Sequence, residues 1–216
     1  MKRTALVAGA SGLVGRRVLA RLLRDPAYTQ VGAIARRPLD IDDPRLTTVI
    51  SDFADLSSLG AALAADDVYC CLGTTLRRAG SKTAFADVDE RMVVDLARAT
   101  HAAGARQFLV ISAVGASEHA LAFYSRVKGR MEKTVAALDF AAVHIFQPSL
   151  LLGERDEHRP GEAIAQRLAP LLGRLTRGPL RRYQPVTADE VAEAMLRIAL
   201  RGDAGVHRHH LPLDDD

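Results

Sequence analysis

The sequence predicts an α/β fold: a doubly wound parallel sheet flanked by helices, with a small C-terminal lobe beside it. Three observations predict this. Short, near-continuous apolar runs alternate with longer helical patterns, as in strands buried on both faces of a parallel sheet. A glycine-rich turn, Gly9-Ala10-Ser11-Gly12-Leu13-Val14-Gly15, joins the first apolar run directly to the first helical pattern. The other conspicuous motifs all fall just after an apolar run, at the carboxyl edge of the expected sheet, where open α/β folds place their ligands.

In chain order, strands are expected at Ala5–Ala8, Val31–Ala35, Leu46–Ile50, Val68–Leu72, Gln107–Ile111 and Ala142–Phe146. Helices are expected at Leu13–Arg24, Ser57–Ala64, Ala84–Ala103, Ala120–Leu138, Gly161–Leu175 and Ala188–Leu200. Right-handed crossovers between such strands give a Rossmann-like sheet. The composition shifts after Gln147: Leu152–Gly161 is polar and charged, and Leu172–Pro185 carries Gly, Arg and Pro. Residues 1–216 are therefore expected to form one domain, with 148–185 as a substrate-side lobe within it. The tail Leu211–Asp216 ends in three aspartates and is expected to fray.

The chain has 216 residues, a net charge of +3 and a pI near 9.1. Its basic residues are scattered as pairs, with neither the dense stripe nor the reading motif of a nucleic-acid surface. No apolar run approaches the roughly 20 residues that span a bilayer. Lys2-Arg3 runs straight into the first strand, without a signal peptide, so a cytoplasmic location is expected. Adjacent Cys70 and Cys71 lie in an apolar run and read as buried free thiols. His207, His209 and His210 lack a completing carboxylate or cysteine; they read as a polar terminal strand, and no metal is expected. His144, alternating in an apolar run, reads as a core histidine.

Strand, glycine turn and helix together form a dinucleotide pyrophosphate site. Gly9 allows the tight exit from the strand, Gly12 removes the Cβ that would block the phosphates, and Gly15 lets the helix pack closely on the sheet. Ser11, Leu13 and Val14 lie between them, at the helix start. Arg36 and Arg37 follow the second strand, about 20 residues on, where an acidic residue would bond the ribose 2′-hydroxyl of NAD. A guanidinium instead grips a 2′-phosphate, so NADP is favoured over NAD. Asp52, with Phe53 beside it, follows the third strand. Asp52 reads as a partner for the adenine amino group, or equally as a cap for Phe53–Leu59.

In Tyr124-Ser125-Arg126-Val127-Lys128, the tyrosine and lysine stand four residues apart and share a helix face. A free tyrosine titrates near about 10, and a neighbouring ammonium favours its phenolate. Such a pair can pass a proton to a carbonyl oxygen during reduction, or take one during alcohol oxidation.

With these residues in view, the chain resembles the short-chain dehydrogenase/reductase (SDR) superfamily. Within it, the chain is most similar to the atypical, Tat-interacting oxidoreductase-like group of NAD(P)H-binding proteins. Cys71-Leu72-Gly73-Thr74-Thr75, Ala79-Gly80-Ser81, Phe85, Val88-Asp89, Val127-Lys128-Gly129 and Gln147 through Gly153 carry that likeness. The resemblance implies that Gly73 and Thr74, flanked by Leu72 and Thr75, line the cofactor near the nicotinamide ribose. It implies that Lys128 bonds the ribose hydroxyls and tunes Tyr124, and that Pro148 and Leu150 lie near the carboxamide. It also implies a homodimer through Ala84–Ala103 and Ala120–Leu138. SDR enzymes commonly end the relevant strand in Ser-Ser, whereas this chain has Ser112-Ala113. Ser112 stands as the third catalytic candidate, with Ser117 as an alternative. Two functions follow: an NADP(H)-dependent oxidoreductase acting on a small carbonyl or alcohol, or an NADPH-holding regulatory module that contacts a protein partner.

Overall fold

The computed structural model describes residues 2–152 and 182–213. The strands are β1 (Arg3–Ala8), β2 (Tyr28–Ala35), β3 (Leu46–Ile50), β4 (Asp67–Cys70), β5 (Gln107–Ile111), β6 (Ala142–Gln147), the short β7 (Leu151–Leu152) and β8 (Val186–Thr187), and β9 (Gly205–His210). The helices are α1 (Gly15–Leu22), α2 (Leu76–Ala79), α3 (Lys82–Ala86), α4 (Met92–Ala102), α5 (Phe123–Ala136) and α6 (Ala188–Arg201). Seven strands form one parallel sheet in the order β3-β2-β1-β4-β5-β6-β9, and β7 pairs with β8. The order reverses between β1 and β4, which opens the ligand crevice of a doubly wound sheet there.

Alternation along each strand builds a core on each face. Val7, Val31, Ala33, Tyr69, Leu109 and Phe146 pack under α1 and α6. Leu6, Ile34, Val68, Cys70, Val110 and Ile145 pack under α4, α5 and the segment Ser57–Leu63. Helix α6 starts with a capping box, Thr187 accepting from the Glu190 amide and Glu190 reaching back to Thr187, and ends at left-handed Gly202. Arg17 meets Asp189 at 2.7 Å and Arg21 meets Glu193 at 3.4 Å, so α1 is tied to α6 across the same face.

Three expected helices differ in form. Ser57–Leu63 is 3₁₀ and broken at Gly60, whose φ of 49° and ψ of −123° leave helical geometry. The expected helix Ala84–Ala103 is divided: α3 ends at Ala86, a π turn runs over Asp87–Arg91, and α4 follows. The wider turn carries Asp89 into the interior, where it is 1% exposed. Helix α5 starts at Phe123 rather than Ala120, because Ala122 has extended φ/ψ. The expected helix Gly161–Leu175, most of the lobe 148–185 and the final residues 214–216 lie outside the described residues.

Candidate functional site

The crevice opens where Gly9 leaves β1. Gly9 has φ +81°, and a Cβ there would sit 2.7 Å from the Cys71 oxygen, so only glycine lets this turn cross so close to the end of β4. A Cβ on Gly15 would lie 2.1 Å from the Gly9 oxygen, so the helix start folds directly onto the turn. The Gly12 amide donates to the Gly9 oxygen at 2.9 Å, which closes the loop. Ser11 and Gly12 are exposed, Leu13 is half-buried, and Val14 anchors the turn in the core. The Leu13 and Val14 amides make no hydrogen bond among the described residues. With no acid in the first turn of α1 and no side-chain cap, this is an open, electropositive helix start. The cradle that the missing Cβ atoms leave, with free amides at its floor, fits a pyrophosphate.

Arg36 and Arg37 are exposed just past β2 and are in no ion pair among the described residues. Asp52 is exposed and accepts from the Ala54 amide at 2.9 Å, so it closes a local turn through Phe53 at φ 65°. Phe53 is buried in the core beneath.

On the other side of the crevice, Leu72, Thr74 and Thr75 are half-buried and Gly73 is exposed. Thr75 caps α2 by accepting from the Arg78 amide at 3.1 Å. The Thr74 amide donates to Asp89 Oδ2 at 2.8 Å, and Asp89 Oδ1 lies 2.8 Å from Lys128 Nζ. Lys128 also donates to the Ile111 carbonyl at 3.3 Å. Burial opposes the Lys128 ammonium, but Asp89 and then Tyr124 outweigh it, and the pKa lies above the ordinary lysine value. Asp89 thus ties the loop after β4 to the lysine of α5. Sequence reasoning did not place it in the site: it stands among Asp87, Glu90 and Arg91, and only the resemblance picked out Val88-Asp89.

Tyr124 stands one turn before Lys128 on α5, 37% exposed, its ring 5.4 Å from that of buried Phe85. Gly129 lets the loop after β5 press onto α5, since a Cβ there would lie 2.1 Å from the Ser117 carbonyl carbon. Ser112 faces elsewhere. It is 3% exposed, and its hydroxyl donates to Glu132, which also accepts from Gln147 at 2.8 Å and lies 3.3 Å from Arg208. Ala113, the next residue, is buried and carries no hydroxyl. The structure therefore brings Tyr124 and Lys128 together and directs Ser112 into a separate polar network. Pro148 is buried and its carbonyl accepts from Val114 at 3.0 Å; the half-buried Leu150 accepts from Val186 at 2.9 Å.

Cys70 and Cys71 are free thiols, both pushed up by burial, Cys70 to about 12. On β9, His207 stacks on the core residue His144 of β6, His209 lies tilted against it, and His144 Nδ1 is 3.1 Å from His209 Nε2. Among the described residues, no group of three or more His, Cys, Asp or Glu is placed to hold a metal ion.

A family model described as NAD(P)H-binding matches residues 9–165, from the glycine turn past Pro148 and Leu150. The protein FMP52, mitochondrial, of Eremothecium gossypii is 33% identical over 205 residues, covering 92% of this chain and 89% of that protein. The protein HTATIP2 of Rattus norvegicus is 34% identical over 169 residues, covering 76% and 69%. Among solved structures, MoeE5 in complex with UDP-glucose and NAD matches with a TM-score of 0.71 at 21% identity, covering 95% of this chain and 75% of that one. That likeness concerns the fold. The resemblance read from Cys71–Thr75 and Gln147–Gly153 is borne out by these relatives. The cytoplasmic location is not: FMP52 relatives from several fungi are named mitochondrial. That expectation rested on the residues at which the sequence begins, and the names of these relatives overturn it.

Proposed function

The chain belongs to the NAD(P)H-binding family, and from that premise we propose that it is an NADP(H)-dependent oxidoreductase of the atypical SDR type, acting on a small carbonyl or alcohol. The observation that carries this reading is the face of α5: half-exposed Tyr124 stands one turn from Lys128, whose ammonium is fixed beneath Gly73-Thr74 by Asp89.

When bound, the nicotinamide supplies or accepts a hydride at its C4. The chain's own residues do the rest. The Gly9–Gly15 turn, with Ser11 and the Leu13 and Val14 amides, holds the pyrophosphate. Arg36 and Arg37 grip the 2′-phosphate, and Asp52 and Phe53 border the adenine. Leu72, Gly73, Thr74 and Thr75 line the nicotinamide ribose, and Pro148 and Leu150 border the carboxamide. Of the three Lys128 donors, two are taken by Asp89 and Ile111. The third is left for a ribose hydroxyl. In reduction, Tyr124 gives its phenolic proton to the substrate oxygen as hydride reaches the carbonyl carbon; oxidation runs the reverse. A second reading is favoured by one observation: the Ser112 hydroxyl is bound to Glu132, and Ala113 beside it carries none. On that reading, the chain holds NADPH as a regulatory module for a protein partner.

The test is NADPH oxidation across a panel of aldehydes and ketones, by the wild type and by Tyr124→Phe. The enzyme reading expects turnover that falls about 100-fold or more in the variant, with NADPH still bound. Unchanged turnover sinks the role of Tyr124. NADPH binding without turnover across the panel favours the second reading.

A further inference from the structure

We propose that the substrate is an anion, a carbonyl compound bearing a carboxylate or phosphate, recognised by Arg77, Arg78 and Lys82; this rests on the oxidoreductase reading above. The segment from Cys71 to Ala86 leaves β4 at the carboxyl edge of the sheet and carries these three cations and no acid. The acids that follow are already taken. Asp87 pairs with Arg91, and Asp89 is buried against Lys128 and the Thr74 amide. Arg77, Arg78 and Lys82 are exposed and in no ion pair among the described residues. Arg17, Arg45, Arg91 and Arg130, by contrast, each meet a carboxylate.

Their position is bounded by contacts and by chain length. Arg77 is three Cα–Cα steps from Thr74, so their Cα atoms lie within about 11 Å. Lys82 Nζ stands 5.5 Å from the Phe123 ring centroid. Phe123 lies 6.0 Å from Phe85, and Phe85 lies 5.4 Å from Tyr124. Lys82 and Tyr124 thus flank one aromatic cluster. The cofactor phosphates are assigned to the Gly9–Gly15 turn and to Arg36 and Arg37, which leaves these three charges without a cofactor role. Unpaired cations at the mouth of a cleft concentrate anions there and raise their rate of entry, by roughly ten- to a thousandfold in strongly focused cases.

The test compares 4-carboxybenzaldehyde with benzaldehyde as NADPH-dependent substrates, and benzoate with benzamide as ligands of the protein in the presence of NADPH. The charged aldehyde should have a kcat/KM about tenfold or more above the neutral one at low ionic strength, with the ratio shrinking as salt is added. Arg77→Ala/Arg78→Ala/Lys82→Ala should bring the ratio close to one, and Arg77→Lys/Arg78→Lys should keep most of it. Equal ratios in wild type and triple variant overturn the proposal. Should neither aldehyde turn over, the oxidoreductase reading stays with the wider panel above, and the anion site is read from binding. The binding comparison then decides: a benzoate preference lost in the triple variant supports the anion site, and no preference overturns it.

Discussion

Lys128 and Asp89 form an ion pair of 2.8 Å in which both side chains are almost wholly buried, at 4% and 2% exposure. Asp89 uses its other oxygen to accept the Thr74 amide at 2.8 Å. One carboxylate therefore holds both the loop after β4 and the lysine one turn from Tyr124. Removing one partner of such a pair strands a buried charge, which costs about 3–5 kcal/mol. Asp89→Ala is expected to lose stability on that scale in urea denaturation. Lys128→Met combined with Asp89→Leu should cost clearly less than the sum of the two single changes.

The glycine turn separates a folding role from a binding role. Gly15→Ala would drive a Cβ to 2.1 Å from the Gly9 oxygen, a backbone atom that cannot yield cheaply. A loss of about 2–3 kcal/mol is expected. Gly12→Ala brings its Cβ no closer than 3.1 Å to that oxygen, at an exposed position. Its stability cost should stay under about 1 kcal/mol, yet its methyl group fills the space a pyrophosphate needs. Thermal melts with and without NADPH check both, and the Gly12 variant should lose most of the NADPH-induced rise.

Stability should depend on pH through two groups of opposite sign. Burial first, then the nearby charge of Asp66, pushes the Asp67 carboxyl up to about 6, against its bond from Tyr28 and its pairing with Arg3. Raised above its unfolded value, it favours the fold at low pH and loses that contribution as pH rises through about 6. Burial and the neighbouring imidazoles push His144 and His209 down to about 4. Their contribution is full above the ordinary value of 6.5 and is lost as pH falls towards about 4. In that shared window the unfolded chain gains about two protons at the histidines, and the fold about one at Asp67. The net effect is acid destabilisation of about 1.4 kcal/mol per pH unit. His144→Gln/His209→Gln should reverse the sign of this slope, read as urea midpoints across the window.

The strands were legible because a parallel sheet buried on both faces leaves near-continuous apolar runs, and Leu46–Ile50 and Gln107–Ile111 match their expected ends. The glycine turn was legible because its φ and close approaches admit few other residues. The division of Ala84–Ala103 at Asp87–Arg91 was not, since a π turn leaves the apolar period nearly intact on both sides. Asp89 therefore looked like one more acid on a helix, and its burial depends on Lys128, far along the chain. The direction of Ser112 was hidden in the same way: its partner Glu132 is on α5 and is shared with Gln147 and Arg208 on two other strands. Strand β9 exposes Gly205 and Val206, so apolar patterning did not mark it; its histidines alone read as a polar terminal strand, which they form.

The most direct measure of the central claim is calorimetric titration of the wild-type chain with NADPH and with NADH. Arg36 and Arg37, in no ion pair among the described residues, should make NADPH bind about tenfold or more tightly, and Arg36→Ala/Arg37→Ala should bring the two affinities together. NADH binding as tightly as NADPH, or neither binding at all, would contradict the account.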